Sequence, residues 1–179
     1  MKNRTNSVLR LNAKTTTHLQ PGRIQTDQSP GQRSQIEKLK PVLGKWYFVF
    51  SLLQVSGSRI NEILKASWQQ ISDEGGLHIK GAKGSRDRYV YDFQCSAYLR
   101  KMKNLETDPF QYLNIFAAIR LMKRHGMTTQ KKGRKHMTVT GIFRNEKAKN
   151  VRNTSKDEAL TANVLGHKSQ NSTSYYGKD

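Results

Sequence analysis

The sequence predicts an α+β fold, mainly helical with one small antiparallel β-hairpin. Two observations carry that expectation: apolar residues recur at helical spacing in several separate stretches, and two short β-prone runs flank a single glycine-bearing turn. A length of 179 residues fits one domain plus a tail, and no internal repeat is present.

Residues 1–33 are rich in Thr, Gln, Ser and Asn, carry the turn signals "QPG" and "SPGQ", and lack apolar periodicity. They are expected to form a basic, flexible N-terminal arm ahead of a folded domain over 34–179. From Ser34 the pattern changes: Ile36, Leu39 and Val42 are followed by Trp46, Phe48, Phe50, Leu52 and Leu53. The second half of that stretch predicts a helix buried on more than one face. Ser56–Ser58 ("SGS") breaks it, and Ser58 is the expected N-cap of a second helix with Ile60, Ile63 and Leu64 on one face. Leu77–Lys80 and Arg88–Phe93 read as strands joined by "GAKGSRD". Phe110–Gly126 has helical periodicity and ends in basic residues and a glycine, as a helix C-terminus should. A basic connector, "TTQKKGRKH", leads towards a helix in "DEALTANVLGH" and a short last turn with two tyrosines.

Lys and Arg total 32 against 13 acidic residues, a net charge of +19. Such a field favours a polyanion, most often nucleic acid and less often an anionic membrane surface. The longest nearly apolar run, Trp46–Val55, is about half of the roughly 20 residues a span needs. The first twenty residues have charge but no apolar segment of the signal-peptide kind, so an intracellular (cytoplasmic) setting with a polyanion partner is expected. Cys95 is the one cysteine, with no partner for a disulfide and no metal-spaced neighbours, so no metal is expected. Residues 101–150 hold twelve Lys/Arg against three acids, whereas 51–100 hold seven against five. The imbalance points to one basic surface; a solvated helix face or a basic tail is the plainer alternative.

Three stretches carry chemistry. In "SGSRINEIL", Arg59 opens a helix, where its planar fork and the helix dipole together make a bidentate phosphate site, and Glu62, one turn on, can hold the guanidinium still. An ordinary surface ion pair is the alternative for those two residues. In "LHIKGAKGSRDRYVY", Lys83 sits on a turn from which an ammonium can swing to a departing oxygen, a position suited to a general acid. Lys80 competes for that role but is expected to be held on a strand. In "LGHKSQNSTSYYG", His167 precedes Tyr176 by nine residues, with Tyr175 adjacent as the expected packing aromatic. A phenol of pKa about 10 becomes a useful nucleophile only where cations stabilise its developing charge.

Together these stretches resemble the catalytic domain of the tyrosine recombinases, the phage-integrase family, over roughly residues 36–179. The resemblance implies Tyr176 as nucleophile, Arg59 and a second arginine clamping the phosphate, His167 hydrogen-bonding it, Lys83 as general acid and Glu62 in support. The family's second box, His-x-x-Arg, places its arginine about 23 residues before the Leu-Gly-His histidine, and Arg144 meets that spacing. The histidine position is Gly141, so the box is incomplete; reading His136 as the box histidine instead puts Val139 in the arginine slot. The resemblance further implies double-stranded DNA as partner, contacted by Lys131, Lys132, Arg134, Lys135 and His136. It also implies self-assembly as a tetramer on DNA, and a bacterial, phage or mobile-element origin. The family's reaction passes through a 3′-phosphotyrosyl intermediate without a metal or cofactor, and the alternative is a catalytically weakened relative that acts as a DNA-binding protein.

Overall fold

The structure is a computed structural model that describes residues 30–82, 85–127 and 139–168. Seven helices and one two-stranded sheet are present among them: α1 Pro30–Leu43, α2 Lys45–Ser56, α3 Ile60–Leu64, β1 Leu77–Ile79, β2 Arg88–Val90, α4 Phe93–Asn104, α5 Ile115–Arg124, α6 Val139–Ser155 and α7 Glu158–Val164. A 3-10 turn over Trp68–Gln70 links α3 to the sheet.

Helix α2 is the axis of the core. Tyr47, Val49, Phe50, Leu52, Leu53 and Val55 are buried around its circumference, as its run of apolar residues predicts. It packs against α1, α3, α4 and α6. Phe50 stacks on Trp46 and on Phe143 of α6, with ring centroids 5.7 and 5.8 Å apart.

Gly57 ends α2 in the left-handed conformation, φ 61°, and its N–H donates to the Leu53 carbonyl at 2.8 Å. A Cβ at Gly57 would lie 2.9 Å from Leu165 Cδ2 and 3.1 Å from Lys147 Cγ. Only glycine allows the end of α2 to approach both α6 and the turn after α7.

The N-cap of α3 is Arg59 rather than Ser58. Glu62 reaches back from the third helical position and accepts the Arg59 backbone N–H at 2.9 Å, which satisfies the helix start without the serine hydroxyl. The strands pair antiparallel with Leu77 opposite Val90, His78 opposite Tyr89 and Ile79 opposite Arg88.

Both strands are shorter than the sequence suggests. The first ends at Ile79, so Lys80 lies beyond the sheet and is exposed. The second ends at Val90 because Asp92 caps α4, accepting from Gln94 N–H at 3.2 Å, which makes Phe93 the first helical residue.

The helix expected from Phe110 starts at Ile115, capped by Asn114, which accepts from Ala117 N–H at 3.0 Å. Phe110 is instead a buried plug beneath Tyr98, and Tyr112 takes φ 69°, which a helix does not accommodate. Three further helices, α1, α4 and α6, extend the expected set.

Candidate phosphate-binding site

The site forms where the end of α2, the start of α3, the hairpin, α6 and the turn after α7 meet. The α3 start places Arg59, whose Nη1 donates to Glu62 Oε1 at 2.9 Å and to the Ala82 carbonyl at 3.2 Å, and also to Ser85 Oγ. Ala82 and Ser85, both between β1 and β2, thus hold this guanidinium from two points of the connection. About a third of the Arg59 side chain remains exposed (34%), whereas that of Glu62 is fully buried.

Glu62 serves two arginines. Besides Arg59, it accepts from Arg88 Nη2 of β2 at 2.7 Å through Oε2, and Ala82 N–H reaches Oε1 at 3.4 Å. Burial pushes the Glu62 carboxyl up. The Arg59 N–H, the charge of Arg88 and the further donors more than offset this and hold it below the ordinary carboxylate range. It is therefore the anionic hinge of the cluster. Arg88 was not among the residues that sequence reasoning selected, although the strand alternation marks it: it lies opposite buried Ile79 and two residues before buried Val90, on the inward face.

Arg144 comes from α6. Its Nη1 donates to the Gly57 carbonyl at 2.7 Å, and its Nη2 to the Leu165 carbonyl at 2.9 Å and to His167 Nε2 at 2.5 Å. The side chain is almost entirely enclosed. Since a guanidinium has no acceptor, the Nε2 it meets is the unprotonated nitrogen of a neutral imidazole. Burial comes first among the causes that hold His167 down to a pKa of about 4, followed by the charges of Arg144, Arg59 and Arg88. All three guanidiniums thus act on one imidazole. Gly141 falls in the first turn of α6, so no imidazole is supplied from there.

The structure therefore brings Arg59, Glu62, Arg144 and His167 together from three separate parts of the chain (the start of α3, α6 and the turn after α7) and adds Arg88 from β2. A groove of about 470 Å³ opens beside His167, lined in part by Arg86, Leu160, Asn163 and Lys168. Arg86 donates to Asn163 Oδ1 at 3.1 Å, joining the hairpin to α7 across one wall. Lys83, Tyr175, Tyr176, Lys131, Lys132, Arg134, Lys135 and His136 lie outside the described residues. Among the described residues no group of three or more His, Cys, Asp or Glu could hold a metal, and no helix is long and apolar enough to cross a membrane. What the assembled site offers chemically is a cluster of three guanidiniums around one neutral imidazole, a chemistry suited to an oxyanion.

No family model and no curated protein matches the sequence. Solved structures do share the fold. A XerA recombinase superposes with a TM-score of 0.60 at 20% identity, over 96% of this chain and 65% of that one. A XerH site-specific recombinase bound to its difH substrate gives 0.58 at 20% identity, over 82% and 47%. A lambda integrase tetramer bound to a Holliday junction gives 0.58 at 15% identity, over 85% and 49%. The chain spans from about half to just under two thirds of the length of these proteins. Its mainly helical α+β architecture is the fold of the tyrosine-recombinase catalytic domain.

Proposed function

We propose that this chain is a metal-independent, tyrosine-type site-specific recombinase or integrase that cuts and rejoins DNA strands through a 3′-phosphotyrosyl intermediate. The single observation that supports it most is that Arg144 meets His167 while Arg59 is joined to the same turn through Glu62 and Arg88, residues from distant parts of the chain, within a fold shared with site-specific recombinases.

In this reading a DNA phosphodiester enters the array. Arg59, partly exposed and held by a buried carboxylate, takes one non-bridging oxygen; Arg144 takes the other, releasing carbonyl contacts as it does so. His167, protonated once the phosphate occupies the pocket, donates to the same phosphate. The Tyr176 phenol oxygen attacks phosphorus and gives up its proton to solvent, the P–O5′ bond breaks, and the departing 5′-oxygen takes its proton from Lys83. A 5′-hydroxyl from a partner strand then attacks the phosphotyrosyl bond and the phenol leaves, so the number of bonds is conserved and no cofactor is consumed. Phosphoryl transfer of this kind asks chiefly for positioning and charge stabilisation, and loss of one clamping arginine costs about 10²-fold in rate. Lys83 is supported by its neighbours, since Ala82 and Ser85 both accept from Arg59. Lys131, Lys132, Arg134, Lys135 and His136 would add sequence-independent phosphate contacts, so DNA affinity should fall steeply with salt. Assembly as a tetramer on paired DNA sites belongs to the same proposal.

A second reading, a relative that binds DNA without cutting it, is favoured by Gly141, where the family carries a histidine. Nicked duplexes drawn from the DNA flanking the gene separate the two, because the cut fragment diffuses away and traps the adduct. A denaturation-resistant protein–DNA band that disappears in Tyr176→Phe supports cleavage. Absence of any band from the native sequence, with DNA binding retained, supports the second reading. A band that survives Tyr176→Phe but is lost in Tyr175→Phe moves the nucleophile by one residue.

A further inference from the structure

We infer that Arg88 is a positioning residue that sets the spacing between the two halves of the phosphate clamp. This rests on the recombinase reading for its catalytic consequence, though not for its anion-binding one. One half of the clamp is Arg59 on α3; the other is Arg144 with His167, at the turn after α7. Arg88 on β2 touches both. Its Nη2 donates to Glu62 Oε2 at 2.7 Å, and Glu62 in turn holds Arg59. Its Nη1 donates to the Leu165 carbonyl, which also accepts from Arg144 at 2.9 Å and lies two residues before His167.

Charge neutralisation alone does not require this arrangement. Glu62 already pairs with Arg59 and accepts backbone N–H groups from Arg59 and Ala82. What a second arginine adds is reach, because a planar fork can hold a carboxylate and a carbonyl on two elements at once. The fold also makes room for it. Gly166 has φ 69°, and a Cβ there would lie 2.8 Å from Arg88 Nη1 and 3.0 Å from its Cζ. The Arg86 N–H donates to the Gly166 carbonyl at 2.8 Å, so the return strand is tied to this turn twice. The cost is a guanidinium with only 8% of its side chain exposed, whose burial weakens its hold on the proton.

The test compares Arg88→Lys, Arg88→Met, Glu62→Gln and Lys83→Ala in the full chain, each first checked for a native melting transition. Lysine keeps the charge but cannot bridge both partners, so Arg88→Lys isolates geometry and also decides the matter if Arg88→Met fails to fold. Single-turnover cleavage is measured at saturating nicked duplex carrying either oxygen or sulfur at the 5′-bridging position. Losses of about 10-fold for Arg88→Lys and about 100-fold for Arg88→Met are expected with both leaving atoms. Sulfur leaves as a thiolate without needing a proton, so it should rescue Lys83→Ala and neither Arg88 variant. Native cleavage rates in folded Arg88→Lys overturn the inference, as does rescue of Arg88→Met by sulfur, which would mean that Arg88 acts through the hairpin turn.

The second arm needs no cleavage. Inorganic phosphate binding is measured by calorimetry at low ionic strength. Glu62→Gln makes the protein more positive, so long-range attraction alone predicts tighter binding. Positioning predicts weaker binding, by about 5-fold or more, for both Glu62→Gln and Arg88→Lys. Tighter or unchanged binding in both overturns the inference. If the native protein forms no covalent adduct, the recombinase reading fails, and this arm still decides the role of Arg88.

Discussion

Arg59 and Arg144 are the same side chain, and the proposed function gives them the same anion, yet the fold treats them differently. Arg59 stands at a helix start, one third exposed and paired with a buried carboxylate. Arg144 is enclosed in the middle of the protein, and its contacts to Gly57, Leu165 and His167 are all to neutral groups. Arg59 is thus a partly exposed charge that the fold tolerates cheaply. Arg144 doubles as a tie between α6, the end of α2 and the turn after α7. The contrast predicts that loss of Arg59 costs the fold little and that loss of Arg144 costs it much more.

Substitution by methionine breaks or sharpens this contrast most. Arg144→Met strips the Gly57 and Leu165 carbonyls of buried donors and should cost about 3 kcal/mol of stability, read as a lowered denaturant midpoint. Arg59→Met should cost under about 1 kcal/mol, because Glu62 keeps Arg88, while still lowering phosphate affinity at least as much. Equal stability losses would remove the distinction.

Gly57→Ala tests the same tie from its other end. The left-handed backbone and the close approach of Leu165 Cδ2 and Lys147 Cγ should together cost about 2 kcal/mol, measured by thermal unfolding.

A smaller effect lies in pH. His167 is held at a pKa of about 4 against an ordinary 6.5, so the unfolded chain binds more protons between those values. Its contribution to stability is complete above pH 6.5 and is lost as pH falls towards 4. Imidazole NMR should show a residue still neutral at pH 5.5, titrating upward once phosphate occupies the pocket. The Glu62 carboxylate, held low, adds stability that is present above the ordinary carboxylate range and lost only at more acid pH.

The smallest expected change is at Lys147, on α6 three residues after Arg144. Burial lowers its pKa to about 8. Lys147→Met should raise stability at pH 7 by up to about 1 kcal/mol, and the gain should shrink above pH 8, where the amine is neutral anyway.

The same contrast explains what was legible in the sequence. Arg59 and Glu62 sit on a short local motif, and α2 is apolar all round, so both can be read directly from spacing. The hairpin is marked by its glycine-bearing turn, and His167 by its Leu-Gly-His setting. Helix α6 hid because its buried face is carried by Ile142, Phe143, Arg144, Lys147 and Ala148, and two charged residues on the inward side erase the apolar period. Helix α4 hid behind Cys95 and Ser96, small buried residues that contribute little to a hydropathy pattern. Ser58 looked like a cap because it is the residue type that caps, but Glu62 performs that task from within the helix. Arg88 escaped because its meaning depends on two partners, Glu62 and Leu165, that lie 26 residues before it and 77 after it.

The central claim is that Arg59 and Arg144 share one anion. Crystals soaked with inorganic phosphate test it most directly. The account predicts a phosphate beside His167, with oxygens in hydrogen-bond range of both guanidiniums and Arg144 withdrawn from at least one of its carbonyls. A phosphate bound by Arg59 alone, with Arg144 still donating to Gly57, Leu165 and His167, would contradict it.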